Sequence, residues 1–147
     1  MAARLTNPDS FPGIIRRLAC MAYDAMLLLG ILAVALLLPH VFIGHWLHRV
    51  AAPSLLWAHL FLVLLVYFCW FWTHSGQTLA MKTWRIRVIE RDGRPLQPLR
   101  ALVRFLLCWP SIGLFGIGLL WALVDRDRQF LHDRLAGTRV VSTGDSA

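Results

Sequence analysis

An aspartate deep in an apolar run has the clearest claim to chemistry in this sequence. Asp24 stands about two helical turns inside the first long apolar stretch, and Arg17 stands at its entrance. A lone carboxylate is costly in hydrocarbon, so such a residue is read as functional and its partner is sought. Arg17, Met21, Asp24 and Leu28 fall at i, i+4, i+7 and i+11, which places them on one helical stripe. Arg17 and Asp24 are then about 10.5 Å apart in rise, too far for a relaxed ion pair, and an arginine at a helix end tends to snorkel to the headgroups. Asp24 therefore needs a donor from another segment.

Other reactive residue types make weaker patterns. His45 and His48 stand at metal-ligand spacing, but no Asp, Glu or Cys lies nearby to complete a site, so no metal is expected. His59, about a turn and a half inside the second apolar run, reads as a hydrogen-bonded interface residue before a proton carrier. His132-Asp133 resembles a pair used in metal-dependent phosphohydrolases, yet no further ligand stands at the right spacing. Ser54, Ser75 and Ser111 show no nucleophile elbow. Cys20, Cys69 and Cys108 are odd in number and lack Cys-x-x-Cys spacing, which gives neither a disulfide framework nor a zinc cluster. An enzyme is not expected, and no cofactor is implied.

The elements that carry these residues follow from composition. The chain has 147 residues, of which 58% are hydrophobic, and a net charge of +7. Its mean hydropathy is +0.60. So apolar and short a chain cannot hide its long runs in a soluble core, which predicts a small integral membrane domain. The basic excess flanks the apolar runs, which suits topology and anionic headgroups better than nucleic acid. Residues 1–13 read as a polar leader, with no cleaved signal peptide expected. A first span is predicted over about 15–38, stopped by Pro39, then an interfacial connector over 40–52. A second span follows over about 54–73, bracketed by Trp57 at one end and Tyr67, Trp70 and Trp72 at the other. Trp84 to Glu90 alternates apolar and charged residues before Asp92-Gly93, which reads as a basic β-hairpin over 83–97.

The last apolar stretch, about 99–124, is interrupted by Pro110, Gly113, Gly116 and Gly118. Two half-helices are expected, about Leu99 to Cys108 and Leu114 to Val124. Arg126, Arg128, Arg134 and Arg139 lie just beyond, so the positive-inside rule prefers a cytoplasmic tail beside the basic loop. A strand over 138–142 would pair with the one ending near Ile89. The fold class is accordingly membrane all-α: two full spans, a third segment that is broken or re-entrant, a small cytoplasmic sheet and a flexible tail over 142–147. Both termini are expected inside.

Taken in order, the motifs resemble a known family. They are Arg17 entering a helix that holds Asp24, then Gly76-Gln-Thr-Leu-Ala-Met-Lys82, then Val88-Ile-Glu-Arg-Asp-Gly93. Arg100 and Arg104 follow, and Gln129-Phe-Leu-His-Asp-Arg-Leu-Ala-Gly-Thr-Arg-Val-Val141 closes the series. This is similar to the RDD family of small prokaryotic membrane proteins, named for one arginine and two aspartates. Carried over, the arginine is Arg17, with Arg16 as a possible shift, and the aspartates are Asp24 and Asp133. Ala80 and Cys20 depart from the family's usual glycine and alanine, both by small residues. The resemblance implies an integral inner-membrane protein, with transport the role usually suggested.

Two readings of the charged set stay open. In the first, Asp24 binds a cation or a proton, Arg17 sets its potential, Arg104 or His59 are companions, and the chain works as a homo-oligomer or with a partner membrane subunit. In the second, Asp24 is a structural pin satisfied by Arg100, Arg104, Gln77 or Thr78. Asp133 then sits in a short helix ending at Gly137 and accepts from Arg85, Arg87 or amides near Gly76. The protein would be a scaffold that binds anionic lipid through its arginines.

Overall fold

The computed structural model describes residues 11–114 and 116–143. The leader expected over 1–13 and the tail expected over 142–147 therefore lie mostly outside the described residues. Two helices are long and apolar enough to cross a membrane. Helix α1, Ile14–Leu47, would be about 51 Å long at 1.5 Å per residue, well beyond a hydrocarbon core of about 30 Å. Helix α2, Pro53–His74, opens with proline at its first turn, where the missing N–H is harmless. Both turn large apolar side chains outward, Leu29 and Trp57 among them at 70% exposure, as helices solvated by lipid must.

Pro39 does not end α1, contrary to the sequence expectation, and most of the expected connector is helical. Proline removes one backbone bond, a loss that side chains in apolar helices can re-satisfy. Here the His40 ring donates through Nδ1 to the Leu36 carbonyl at 2.7 Å, next to the Ala35 carbonyl that Pro39 leaves without its helical donor. Pro110 is likewise absorbed. Helix α4, Pro98–Gly113, continues past it, so α4 ends at Gly113 and not at Cys108 as expected. Helix α5, Ile117–Val124, then leaves α4 at a bend of 95°.

Between α2 and α4 lie the short helix α3, Leu79–Thr83, and strand β1, Ile86–Glu90. After α5 come the short helix α6, Leu131–Leu135, and strand β2, Thr138–Ser142. The expected local hairpin over 83–97 has its turn, where the Gly93 amide donates to the Glu90 carbonyl at 2.9 Å, but residues 94–97 form no second strand. The partner comes from the tail instead: β1 and β2 pair antiparallel, with Val88 opposite Val140 and Glu90 opposite Thr138. Arg16 reinforces this edge from α1, donating to the Trp84 carbonyl at 2.8 Å.

The apolar core sits where the sheet meets the helices. Ile86, Val88 and Val140 from the sheet pack with Cys20, Trp72, Ala101 and Phe105. The alternation along β1 sends Ile86, Val88 and Glu90 inward and Arg87 out, as a period of two requires. Glu90 is buried with partners: its carboxylate accepts from the Gln97 amide at 3.1 Å and lies 3.5 Å from Arg100. Gly137, just past α6, takes a left-handed φ of +69° and releases the chain into β2.

Candidate functional site

Asp133 is fully buried, and both buried arginines converge on it. Arg104, on the second turn of α4, donates to Oδ1 through Nε at 2.8 Å and Nη2 at 2.6 Å. Arg17, from the first turn of α1, binds Oδ2 through Nη2. The guanidinium planes are covered as well, Arg17 lying 3.9 Å from the Phe130 ring centroid and Arg104 4.2 Å from that of Trp72. Arg17 also donates to the Arg128 carbonyl at 2.6 Å. Three distant parts of the chain, α1, α4 and the tail, are thereby tied at one carboxylate. The set carries two positive charges against one negative.

Residues around α6 hold that carboxylate in place. Thr138 donates to the Asp133 carbonyl at 3.2 Å. Gln129 brackets β2, its Oε1 accepting from the Val140 amide at 3.0 Å and its Nε2 donating to the Val140 carbonyl at 3.4 Å. Asp125 accepts from the Gln129 amide at 3.0 Å and pairs with Arg134. His132 faces Ser111 Oγ through Nδ1 at 3.2 Å and stands 3.6 Å from Asp133 Oδ1 through Nε2. Burial works against ionised Asp133, but Arg104, His132 and Arg17 outweigh it and hold the carboxyl well below the usual range. For His132, burial, aided by the two arginines and opposed by Asp133, lowers the pKa to about 4.

These shifts give acid sensitivity with a defined window. An unfolded histidine titrates near 6.5, so between about 6.5 and 4 the unfolded chain binds a proton that the folded chain refuses. Stability from His132 is therefore complete above about 6.5 and is lost as pH falls towards 4. The Asp133 contribution is lost only at lower pH, once an unfolded carboxyl begins to protonate. Thermal unfolding in detergent across pH 4–7 is expected to show a falling midpoint in the parent and a flatter profile in His132→Gln. Equal slopes would contradict this origin.

Asp24 occupies a separate environment about two turns beyond Arg17 on α1 and is 6% exposed. It accepts from Thr78 Oγ1 at 2.5 Å and from Tyr67 Oη at 3.3 Å. Thr78 also caps α3, its oxygen accepting from the Met81 amide at 3.3 Å, so the same residue fixes the turn and the carboxylate. No basic side chain among the described residues is paired with Asp24.

Of the proposed donors to Asp24, only Thr78 reaches it. Arg104 is taken by Asp133; Arg100 binds Glu90 and the Gly137 carbonyl; Gln77 donates to the Ile86 carbonyl at 2.7 Å. His59 stacks towards His40, with ring centroids 5.1 Å apart, and not towards Asp24. The expected donors to Asp133, namely Arg85, Arg87 and amides near Gly76, are replaced by Arg17 and Arg104. Sequence reasoning missed Tyr67, read only as a belt aromatic, although a tyrosine buried in apolar surroundings must place its hydroxyl somewhere.

A cavity of about 670 Å³ opens beside this set. Most of its wall comes from α1, α2 and α4, with single residues from α3, β1, α5, α6 and β2, and its lining is almost wholly apolar, with Arg17, Asp24, Arg104 and His132 among its ionisable groups. The arrangement offers a carboxylate with hydroxyl donors next to a space for an apolar body.

Comparison with known proteins agrees with the motif order. The sequence profile described as RDD family matches residues 11–137. The chain is similar to an uncharacterised protein of Rickettsia prowazekii (strain Madrid E), at 32% identity over 101 residues. That match covers 69% of this chain and 57% of the relative, so the chain spans little more than half of the relative's length. No solved structure matches.

Proposed function

We propose that this chain, which belongs to the RDD family, transports an ion or small solute across a prokaryotic inner membrane with Asp24 as the binding carboxylate. The observation that carries this reading is the division of labour between the two buried aspartates. Asp133 is neutralised by Arg17 and Arg104, whereas Asp24 lines the cavity with hydroxyl donors and no paired cation among the described residues. A carboxylate so placed takes a proton or a cation at little structural disturbance. Its α2 and α3 donors lie at the same end of the molecule as the Arg-rich segments, which supports a site reached from the cytoplasm.

The topology follows from the same features. β2 pairs with β1, which brings the tail back to the side of the segment joining α2 to α4. This favours α4 and α5 as a re-entrant pair over a third crossing, with both termini in the cytoplasm. A reporter fused after residue 147 and one inserted at Gly93 are expected on the same side of the membrane; opposite sides would exclude the re-entrant pair. Two spans and a bent pair enclose no pathway alone, so the working unit is an oligomer or a complex with another membrane subunit. Anionic lipid would settle on the exposed arginines of the cytoplasmic face.

The structural reading keeps one specific support, the fully buried Asp133 cluster, and we assign it that role. The two readings then apply to different aspartates. In proteoliposomes, Asp24→Asn is expected to abolish cation-dependent flux while the protein stays folded, and Asp24→Glu to retain part of it. Full flux in folded Asp24→Asn would exclude the role.

A further inference from the structure

The cavity beside Asp24 has the size and chemistry of a ligand site. Its volume of about 670 Å³ lies within the range of roughly 300–1,000 Å³ typical of small-molecule pockets. Leu28, Leu64, Phe68, Phe105 and Trp109 supply an apolar and partly aromatic wall. The polar end decides the sign of the guest. Arg17 and Arg104 already bind Asp133, and their flat faces lie against Phe130 and Trp72. Asp24 has the hydroxyls of Thr78 and Tyr67 and the backbone at Ala80, which stabilise a negative charge without cancelling it, and no paired cation among the described residues.

We infer that the cavity binds a lipophilic monovalent cation, an apolar body carrying one positive centre, with that centre against Asp24 and the body among the α2 and α4 side chains. An inorganic ion would leave the apolar volume unused, and an uncharged lipid tail would leave Asp24 without a counter-charge. The inference deepens the transport reading and rests on its assignment of Asp24 as the ligand carboxylate. It names the class of solute.

The probe pair is tetraphenylphosphonium and tetraphenylborate, nearly equal in shape and opposite in charge. Calorimetric titration of the purified protein in uncharged detergent is expected to show saturable binding of the phosphonium and weaker binding of the borate. Asp24→Asn should weaken the phosphonium by about tenfold or more, the size of one lost charge contact. Gly113→Phe supplies a second variant that leaves the ionic residues untouched: Gly113 lines the cavity, and a Cβ there meets nothing within 4 Å. It should reduce binding of the phosphonium by filling space. If Asp24→Asn does not fold, the probe pair and Gly113→Phe still decide. Borate binding as tight as phosphonium, or phosphonium binding unchanged in Gly113→Phe, would overturn the inference. Phosphonium binding that depends on Asp24 in a protein with no flux would support the site while removing the transport reading.

Discussion

Asp133→Asn is expected to lower stability by about 3–5 kcal/mol, the range for removing one partner of a buried ionic set. The substitution keeps the shape but leaves Arg17 and Arg104 facing a neutral amide, both buried to within a few per cent. Two guanidiniums without their shared counter-charge repel each other in a medium that screens poorly. Against a typical total of about 5–15 kcal/mol, such a loss should turn most of the protein into aggregate or strongly depress its unfolding midpoint in detergent. Asp133→Glu should be less harmful because the charge survives. Replacing all three residues together with apolar ones of similar volume should recover much of the stability, since burying the set is itself expensive. An unchanged midpoint in Asp133→Asn would mean that the cluster does not hold the fold.

Gly118→Val is expected to produce the other large effect, through close approach of two helices. A Cβ at Gly118 would sit 1.5 Å from Ser111 Oγ, 2.6 Å from its Cβ and 3.0 Å from its Cα. The hydroxyl could turn away, but the backbone of α4 cannot. Valine must push α5 off α4, a loss of about 1–3 kcal/mol or more for overpacking of this kind. Ser111 also faces His132, so the displacement reaches the Asp133 cluster. Size-exclusion profiles and unfolding midpoints should show the damage, and Gly118→Ala combined with Ser111→Gly, which clears the space that the new Cβ needs, should be milder than Gly118→Val. Parent-like stability in Gly118→Val would show that α5 does not pack there.

Much of this fold was readable in the sequence because its strongest signals are long and local. Two long apolar runs, the second with aromatic ends, predicted α1 and α2, and the short helix before Gly137 was readable from the glycine that follows it. The sheet between Ile86–Glu90 and Thr138–Ser142 was predicted from unpaired strand edges and from the side of the membrane that the arginines prefer. Proline was read too strongly. Pro39 and Pro110 both lie inside helices, since a proline removes one N–H donor from an apolar helix and need not end it.

Partners across the chain were the part that remained hidden. The stripe holding Arg17 and Asp24 was visible from spacing alone, and it correctly separated the two residues. Which carboxylate Arg17 would choose was not visible, because Asp133 lies 116 positions away and only tertiary packing brings it near. Arg104 was expected at Asp24 since both belong to the same half of the molecule; the aromatic face of Trp72 and the position of α6 direct it to Asp133. Glu90 ends the alternating stretch as a charged residue, yet the period of β1 puts it on the same side as Ile86 and Val88 and buries it.

The account's central claim is that the two aspartates have separate duties, Asp133 in the fold and Asp24 at the cavity. The most direct test is the unfolding midpoint of purified Asp24→Asn against that of Asp133→Asn, in the same uncharged detergent at pH 7. A small change is expected for Asp24→Asn, because the asparagine Oδ1 can accept from one of the two hydroxyls while its Nδ2 donates to the other, and a large fall for Asp133→Asn. A fall in Asp24→Asn equal to or greater than that in Asp133→Asn would contradict it and return Asp24 to the structural network.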